Sequence, residues 1–355
     1  MKKKRKINLA LQGGGSHGAY TWGALDRLLE EENLIIDGIS GTSAGAMNGA
    51  VLVNGFIKNG REGAKKALDK FWTDIGHMGS FLLTRSGLMD KIFKSWNMDL
   101  SFGYHWFNIL SNTFSPYDTN PHNVNPLKVL LEKDIDMKLL REAKDIKLFV
   151  SATNVRTGRP RVFNTAELSE DVLLASACIP YLFQAVEING DHYWDGGYAG
   201  NPALWPLIHG CKADDILLVQ INPLERHKLP KTAHEIMNRI NEITFNSSLI
   251  AELKSIHFIS RMVHKKQLSK REYKELRLHM ISPAEEMQEL TASSKLNSDL
   301  DFLLFLKKLG RKAADSWIKE NFSKIEVRSS LNIEKTFFPT LTEDHPYIDQ
   351  DLRIL

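Results

Sequence analysis

Apolar residues open the chain in short blocks separated by glycine. Ile7–Gln12 is mostly apolar and runs into three glycines, the pattern of a short buried strand. Ala19–Glu32 places Trp22, Leu25, Leu28 and Leu29 on one helical face and ends in acidic residues. Leu34–Ile39 is a second apolar block, and Ala44–Val53 is a small-residue stretch suited to a helix. Strand, turn and helix, twice over, predict parallel βαβ units in a three-layer α/β/α core with a mainly parallel central sheet.

Further along, Leu127–Leu131 reads as a helix, and Lys147–Thr153 and Ile216–Ile221 read as strands. Ala185–Ile188 and His192–Trp194 flank Asn189-Gly190, a two-residue hairpin signal. From about residue 232 the pattern is mainly helical. The expected division is a core over 7–222 and a mostly helical C-terminal region over 223–355 packed on it. Eleven aromatics fall between Phe71 and Tyr117, against 9% aromatics for the whole chain. That enrichment marks an insertion over about 71–126: a lid, a wall of an acyl pocket, or a small core of its own.

Composition narrows the class. With 43% hydrophobic and 25% charged residues over 355 positions, the chain is globular. The formal charge of +3 is too balanced to mark a nucleic-acid binder. Cys178 and Cys211 form no metal-binding spacing, so no metal is expected and a reducing compartment fits. The basic start, Met1 to Lys6, is followed by too short an apolar run for a secretory signal. The chain therefore reads as cytoplasmic, with signal-independent export still open.

Three motifs carry chemistry. Gly13-Gly14-Gly15-Ser16-His17-Gly18 lies between a strand and a helix, where unpaired N–H groups and the helix dipole favour an anion. Gly13, Gly15 and Gly18 also satisfy a dinucleotide-binding spacing, with Asp37 where a ribose-binding acid could sit. On its own the loop fits an oxyanion hole, an NAD(P)-binding oxidoreductase or a structural turn. Gly41-Thr42-Ser43-Ala44-Gly45 is a G-x-S-x-G turn between strand and helix, the context of a serine nucleophile, with the Ala44 N–H facing the developing oxyanion. Asp195-Gly196-Gly197, at the end of the expected hairpin, offers a base for that serine.

Together these motifs resemble the patatin-like phospholipase family, over roughly residues 7–222. Ala175-Ser176-Ala177-Cys178-Ile179-Pro180-Tyr181-Leu182-Phe183 looks like the family's segment ahead of its aspartate. The resemblance implies a lipid acyl hydrolase of phospholipase A or lysophospholipase type, working through a Ser–Asp dyad without histidine. Ser43 is then the nucleophile and Asp195 the base. The backbone of Gly13, Gly14, Gly15 and Ala44 forms the oxyanion hole, and Gly18, Gly41, Gly45, Gly196 and Gly197 support the turns. One departure is His17, where the family usually carries Arg or Lys.

A triad would need one of the 12 histidines, and His17 and His192 lie nearest to the motifs in sequence. No cofactor is expected. The expected partner is a lipid or acyl-ester substrate, with acylglycerols and hydroxyalkanoate oligomers as alternatives to phospholipids. A catalytically silent lipid-binding protein is a further alternative. His257–Met280 carries seven Arg and Lys residues, from Arg261 to Arg277, against Glu272 and Glu275. It reads as a basic helix suited to peripheral contact with anionic membranes, or as a solvated face.

Overall fold

The first two apolar blocks become adjacent parallel strands, β1 (Arg5–Leu11) and β2 (Leu34–Thr42). The computed structural model describes residues 3–78, 96–98, 114–226, 229–269 and 271–338. The remaining strands are β3 (Lys147–Asn154), β4 (Pro160–Asn164), β5 (Val186–Ile188), β6 (Asp191–Asp195), β7 (Asp215–Val219) and β8 (Arg277–Ile281). They join one sheet in the order β5-β6-β3-β2-β1-β7-β8, with β4 paired to β3. The stretch from β3 to β8 is parallel, whereas β4, β5 and β6 are antiparallel additions at one side.

Alternation along the strands supplies both faces of the sheet. Leu9, Leu11, Leu217 and Val219 face a core filled by α1 (Gly18–Leu28), α2 (Ala44–Met78) and, later in the chain, Leu300–Asn321. Ala10, Ile216 and Leu218 face the opposite way, onto Leu207, Leu249 and Leu253. The result is a three-layer α/β/α core with a mainly parallel central sheet and a largely helical C-terminal region.

Several boundaries differ from the expectation. The helical run after Ser43 continues to Met78, interrupted by non-helical backbone at Asn59 and Gly60. The hairpin turn is as the dipeptide predicts: Asn189 and Gly190 take φ of 53° and 83°, the two left-handed positions of a type I′ turn. Two strands were not anticipated. β4 opens on a proline and spans five residues, too short to show a period.

β8 corrects the reading of His257–Met280 as one basic helix. The long helix Ala233–His264 ends before the densest charge, and Arg277–Ile281 extends the sheet beside β7. The charge that disguised this strand is paired: Arg277 Nε reaches Asp215 at 2.8 Å and His279 Nε2 reaches it at 2.9 Å. Of the aromatic insertion, 79–95 and 99–113, on which the lid reading falls, lie outside the described residues. Phe71 and Trp72 belong to the core, and Trp96 stacks on Phe305. Among the described residues, no helix is long and apolar enough to cross a membrane.

Candidate active site

β2 ends at Thr42 and α2 begins at Ala44, leaving Ser43 alone in the left-handed region at φ 53°. That conformation costs a non-glycine residue about 1–2 kcal/mol. The surroundings hold it there. The Ser43 N–H donates to Ser176 Oγ at 2.9 Å, and Ser176 Oγ donates to the Ser151 carbonyl at 2.7 Å. Thr42 Oγ1 donates to the Gly200 carbonyl at 2.6 Å, tying the elbow to the loop after Asp195. Gly41 and Gly45 bracket the turn with their backbones in close approach.

The glycine loop lies directly against this elbow. A Cβ on Gly13 would sit 2.7 Å from Ser43 Cβ and 2.7 Å from the Thr42 carbonyl oxygen, so any side chain here would displace Ser43. Gly15 takes φ 58° and abuts the Lys295 carbonyl. Buried amides set the position of the loop. Gln12 Oε1 accepts the N–H groups of Ile221 and Asn222 at 2.9 and 3.0 Å, and Asn222 Nδ2 donates to the Gly13 carbonyl at 2.8 Å. The Gly13 N–H donates to Asn201 Oδ1 at 2.6 Å. This corrects the expected oxyanion hole: the Gly13 donor is already engaged and has no hydrogen left for a ligand. Gly14, Gly15 and Ala44 remain as candidate donors, the last in the first turn of α2, where N–H groups lack helical partners.

Asp195 ends β6, across β3 from β2, and pairs with Ala152. Its N–H donates to the Cys178 carbonyl at 2.8 Å, and Thr153 Oγ1 donates to its carbonyl at 2.8 Å. Gly196 and Gly197 start the tight turn that follows, and the Gly197 N–H donates to Asp195 Oδ1 at 2.7 Å. The Ser43 hydroxyl is close enough to favour the ionised carboxyl. Asp195 is 1% exposed and Ser43 7%. Burial pushes the Asp195 carboxyl up to about 6, against the opposing pull of the Gly197 N–H, the Ser43 hydroxyl and the Lys295 charge. A carboxyl in that range can both take and return a proton near neutrality.

The histidines nearest in sequence do not form a triad. His17 is buried, and its Nε2 meets Ser294 Oγ at 2.7 Å. Ser294 Oγ spends its own hydrogen on the Thr291 carbonyl at 2.7 Å, so His17 carries its proton on Nε2. Its Nδ1 meets no partner among the described residues. Burial, followed by the charges of Lys295 and Arg226, holds its pKa well below the ordinary value. His192 is exposed and lies three positions before Asp195 on β6, on the opposite strand face. A Ser330–His279–Asp215 chain does exist, with contacts of 2.9 and 2.9 Å. It sits at the start of β7, away from the strand ends that carry the glycine loop and Ser43. There Asp215 also accepts from Arg277 Nε and the Glu326 N–H.

Asp37 does not occupy a ribose position. It lies in the first half of β2 and accepts the N–H groups of Lys212 and Ala213 at 2.5 and 2.9 Å.

Four supporting residues had no assigned part in the sequence reading. Ser176 stood inside a recognised segment without a role. Asn201, Asn222 and Lys295 carry no local signal, because their partners are 188, 209 and 73 positions away.

A search of curated proteins found no match. Among solved structures, VipD from Legionella pneumophila is 14% identical with a TM-score of 0.38, covering 94% of this chain and 73% of that one. ExoU, solved with SpcU from the type III secretion system of Pseudomonas aeruginosa, is 16% identical with a TM-score of 0.31, covering 88% of this chain and 53% of that one. These likenesses are distant, and the assignment rests on the sequence family: the family model described as Patatin-like phospholipase matches residues 9–208, which include the glycine loop, the Ser43 elbow and Asp195. A match over more than half of the chain, spanning all three motifs, makes this protein a member of the patatin-like phospholipase family, a family of lipid ester hydrolases.

Proposed function

We propose that the protein hydrolyses carboxylic esters of lipids, of phospholipase A or lysophospholipase type, through a Ser43 acyl-enzyme with Asp195 as general base. The observation that carries this reading is a left-handed Ser43 at the head of α2 with the buried Asp195 carboxyl close enough for the serine hydroxyl to favour its ionised form. Ser43 Oγ attacks the ester carbonyl carbon while Asp195 takes its proton. Negative charge on the carbonyl oxygen develops beside the N–H groups of Ala44, Gly14 and Gly15. Collapse breaks the C–O bond, and Asp195 returns the proton to the departing alcohol. Water, deprotonated by Asp195, then attacks the acyl carbon, the bond to Ser43 Oγ breaks, and Asp195 returns the proton to Ser43 as the fatty acid leaves.

A hydrolysis screen over phospholipids, lysophospholipids, acylglycerols and short aryl esters tests the reading, with Ser43→Ala as the blank. Turnover of the first two classes that vanishes in Ser43→Ala is expected. Turnover confined to acylglycerols would keep the chemistry and move the substrate. Turnover retained in Ser43→Ala would reject the nucleophile.

A further inference from the structure

The glycine loop contains no charged cation, because its one basic residue, His17, is buried and neutral. A cation reaches the loop from the far end of the chain. We propose that Lys295 is a positioning residue of this site, supplying from the C-terminal region the positive charge that the glycine loop lacks and holding the loop through Asn222.

Three contacts place it. Lys295 Nζ donates to Asn222 Oδ1 at 2.8 Å, and Asn222 Nδ2 donates to the Gly13 carbonyl at 2.8 Å. The ammonium thus grips the loop through one intervening side chain. The Lys295 carbonyl packs against Gly15. The ammonium also lies 5.7 Å from the centre of the Phe245 ring, and a Cβ on Gly197 would meet that ring at 2.9 Å. Lys295 therefore stands between the loop beside the nucleophile and the turn that follows the base. Its neighbour Ser294 binds His17, so one short segment touches the loop at two points. Both lie outside residues 9–208, the span matched by the family model.

The charge has a defined task. Asp195 must be ionised to accept the Ser43 proton, yet burial favours its neutral form. The charged and titratable groups facing it are Lys295, the Cys178 thiol and the Tyr198 hydroxyl, and of these only Lys295 favours the carboxylate. Around Lys295 stand Glu242, Arg226 and the neutral His17, and Arg226 and Arg239 pair with Glu242 at their own ends. Burial lowers the Lys295 pKa, and the carboxylates of Glu242 and Asp195 oppose that shift and favour the charged ammonium.

This inference rests on the Ser43–Asp195 reading, and its test separates the two. The full chain is prepared as wild type, Lys295→Met, Lys295→Gln, Lys295→Arg and Ser43→Ala. Hydrolysis of a short aryl ester is followed as a function of pH, together with fluorophosphonate labelling. In both neutral variants the acid limb of kcat/KM should move upward from near 6 by roughly half a unit or more, since an opposite charge nearby favours ionisation. Lys295→Arg should keep the limb in place, because it keeps the charge. Loss of loop support alone would lower activity at every pH and leave the limb unmoved. An unmoved limb in Lys295→Met or Lys295→Gln, with Ser43→Ala inactive and unlabelled, overturns the role of Lys295 and spares the nucleophile. Activity and labelling that survive in Ser43→Ala overturn the underlying reading itself.

Discussion

The backbone N–H of Ser43 is held at 2.9 Å by the hydroxyl of Ser176, whose own hydrogen is fixed on the Ser151 carbonyl. A left-handed serine between a strand and a helix has no ladder partner for its amide. Ser176 supplies one from the end of a different helix, α3 (Glu170–Ser176). The elbow, the sheet and the segment leading to Asp195 are thereby joined through one side chain.

Removing that hydroxyl should be costly. Ser176→Ala leaves a buried donor unpaired, and the expected loss is about 1–3 kcal/mol of stability. Activity should fall through kcat rather than KM, because the nucleophile is displaced while the binding surface is not. Denaturant unfolding and steady-state kinetics on the same preparation check both. An unchanged unfolding midpoint would show that water replaces Ser176 at no cost.

The strain at Ser43 gives a second expectation. Ser43→Ala and Ser43→Gly should both be inactive, but only glycine relieves the backbone at φ 53°. Ser43→Gly should therefore be the more stable of the two by about 1 kcal/mol. Equal melting temperatures would mean that the surroundings, and not local sterics, set the energy of this turn.

Asp195 links activity and stability with opposite signs. Burial raises its carboxyl from 3.8 to about 6, so the folded protein favours the protonated acid. The stability this group contributes is complete below pH 3.8 and is lost as pH rises through about 6. Asp195→Asn should accordingly stabilise the protein at neutral pH by up to roughly 3 kcal/mol, and the gain should shrink toward acid pH. The same substitution should reduce hydrolysis by roughly 10²–10⁴-fold. Unfolding curves taken at acid and neutral pH decide the matter. A destabilised Asp195→Asn at neutral pH would show that the ionised carboxylate is the form the fold prefers.

The two histidines near the motifs should respond differently from a triad member. His192→Ala alters an exposed side chain and should retain activity within about tenfold, about 1.4 kcal/mol of barrier. His17→Gln keeps a polar group toward Ser294 and should keep the dependence on Asp195. A loss in either variant equal to that of Ser43→Ala, in folded protein, would turn the dyad into a triad.

Much of the fold and the outline of the site were legible in local pattern. Mostly apolar blocks of six residues, each followed within two positions by glycine, are enough to predict β1, β2 and the turns after them, because buried parallel strands are rich in apolar residues and tight turns need small ones. Asn189-Gly190 predicted its hairpin for the same kind of reason: both residues tolerate φ above zero. The elbow and Asp195-Gly196-Gly197 were visible as motifs because their chemistry depends on neighbours in the chain. β8 was not legible. Arg277 and His279 read as solvated charge until Asp215, on another strand, is placed beside them.

Distance along the chain decided the rest. Whether Gly13 could donate to an oxyanion depended on Asn201, whose side-chain oxygen takes that hydrogen. Whether His17 was a base or a cation depended on Ser294 and on its burial. The charge beside the glycine loop comes from Lys295, 280 positions after Gly15. Sequence by itself determined the strand-turn-helix units and which residue types could do acyl transfer, because those follow from local sterics and periodicity. Only the tertiary structure decided which N–H groups are engaged, which histidine is neutral and which cation is present, because hydrogen-bond satisfaction and desolvation are set by partners that the chain brings together only on folding.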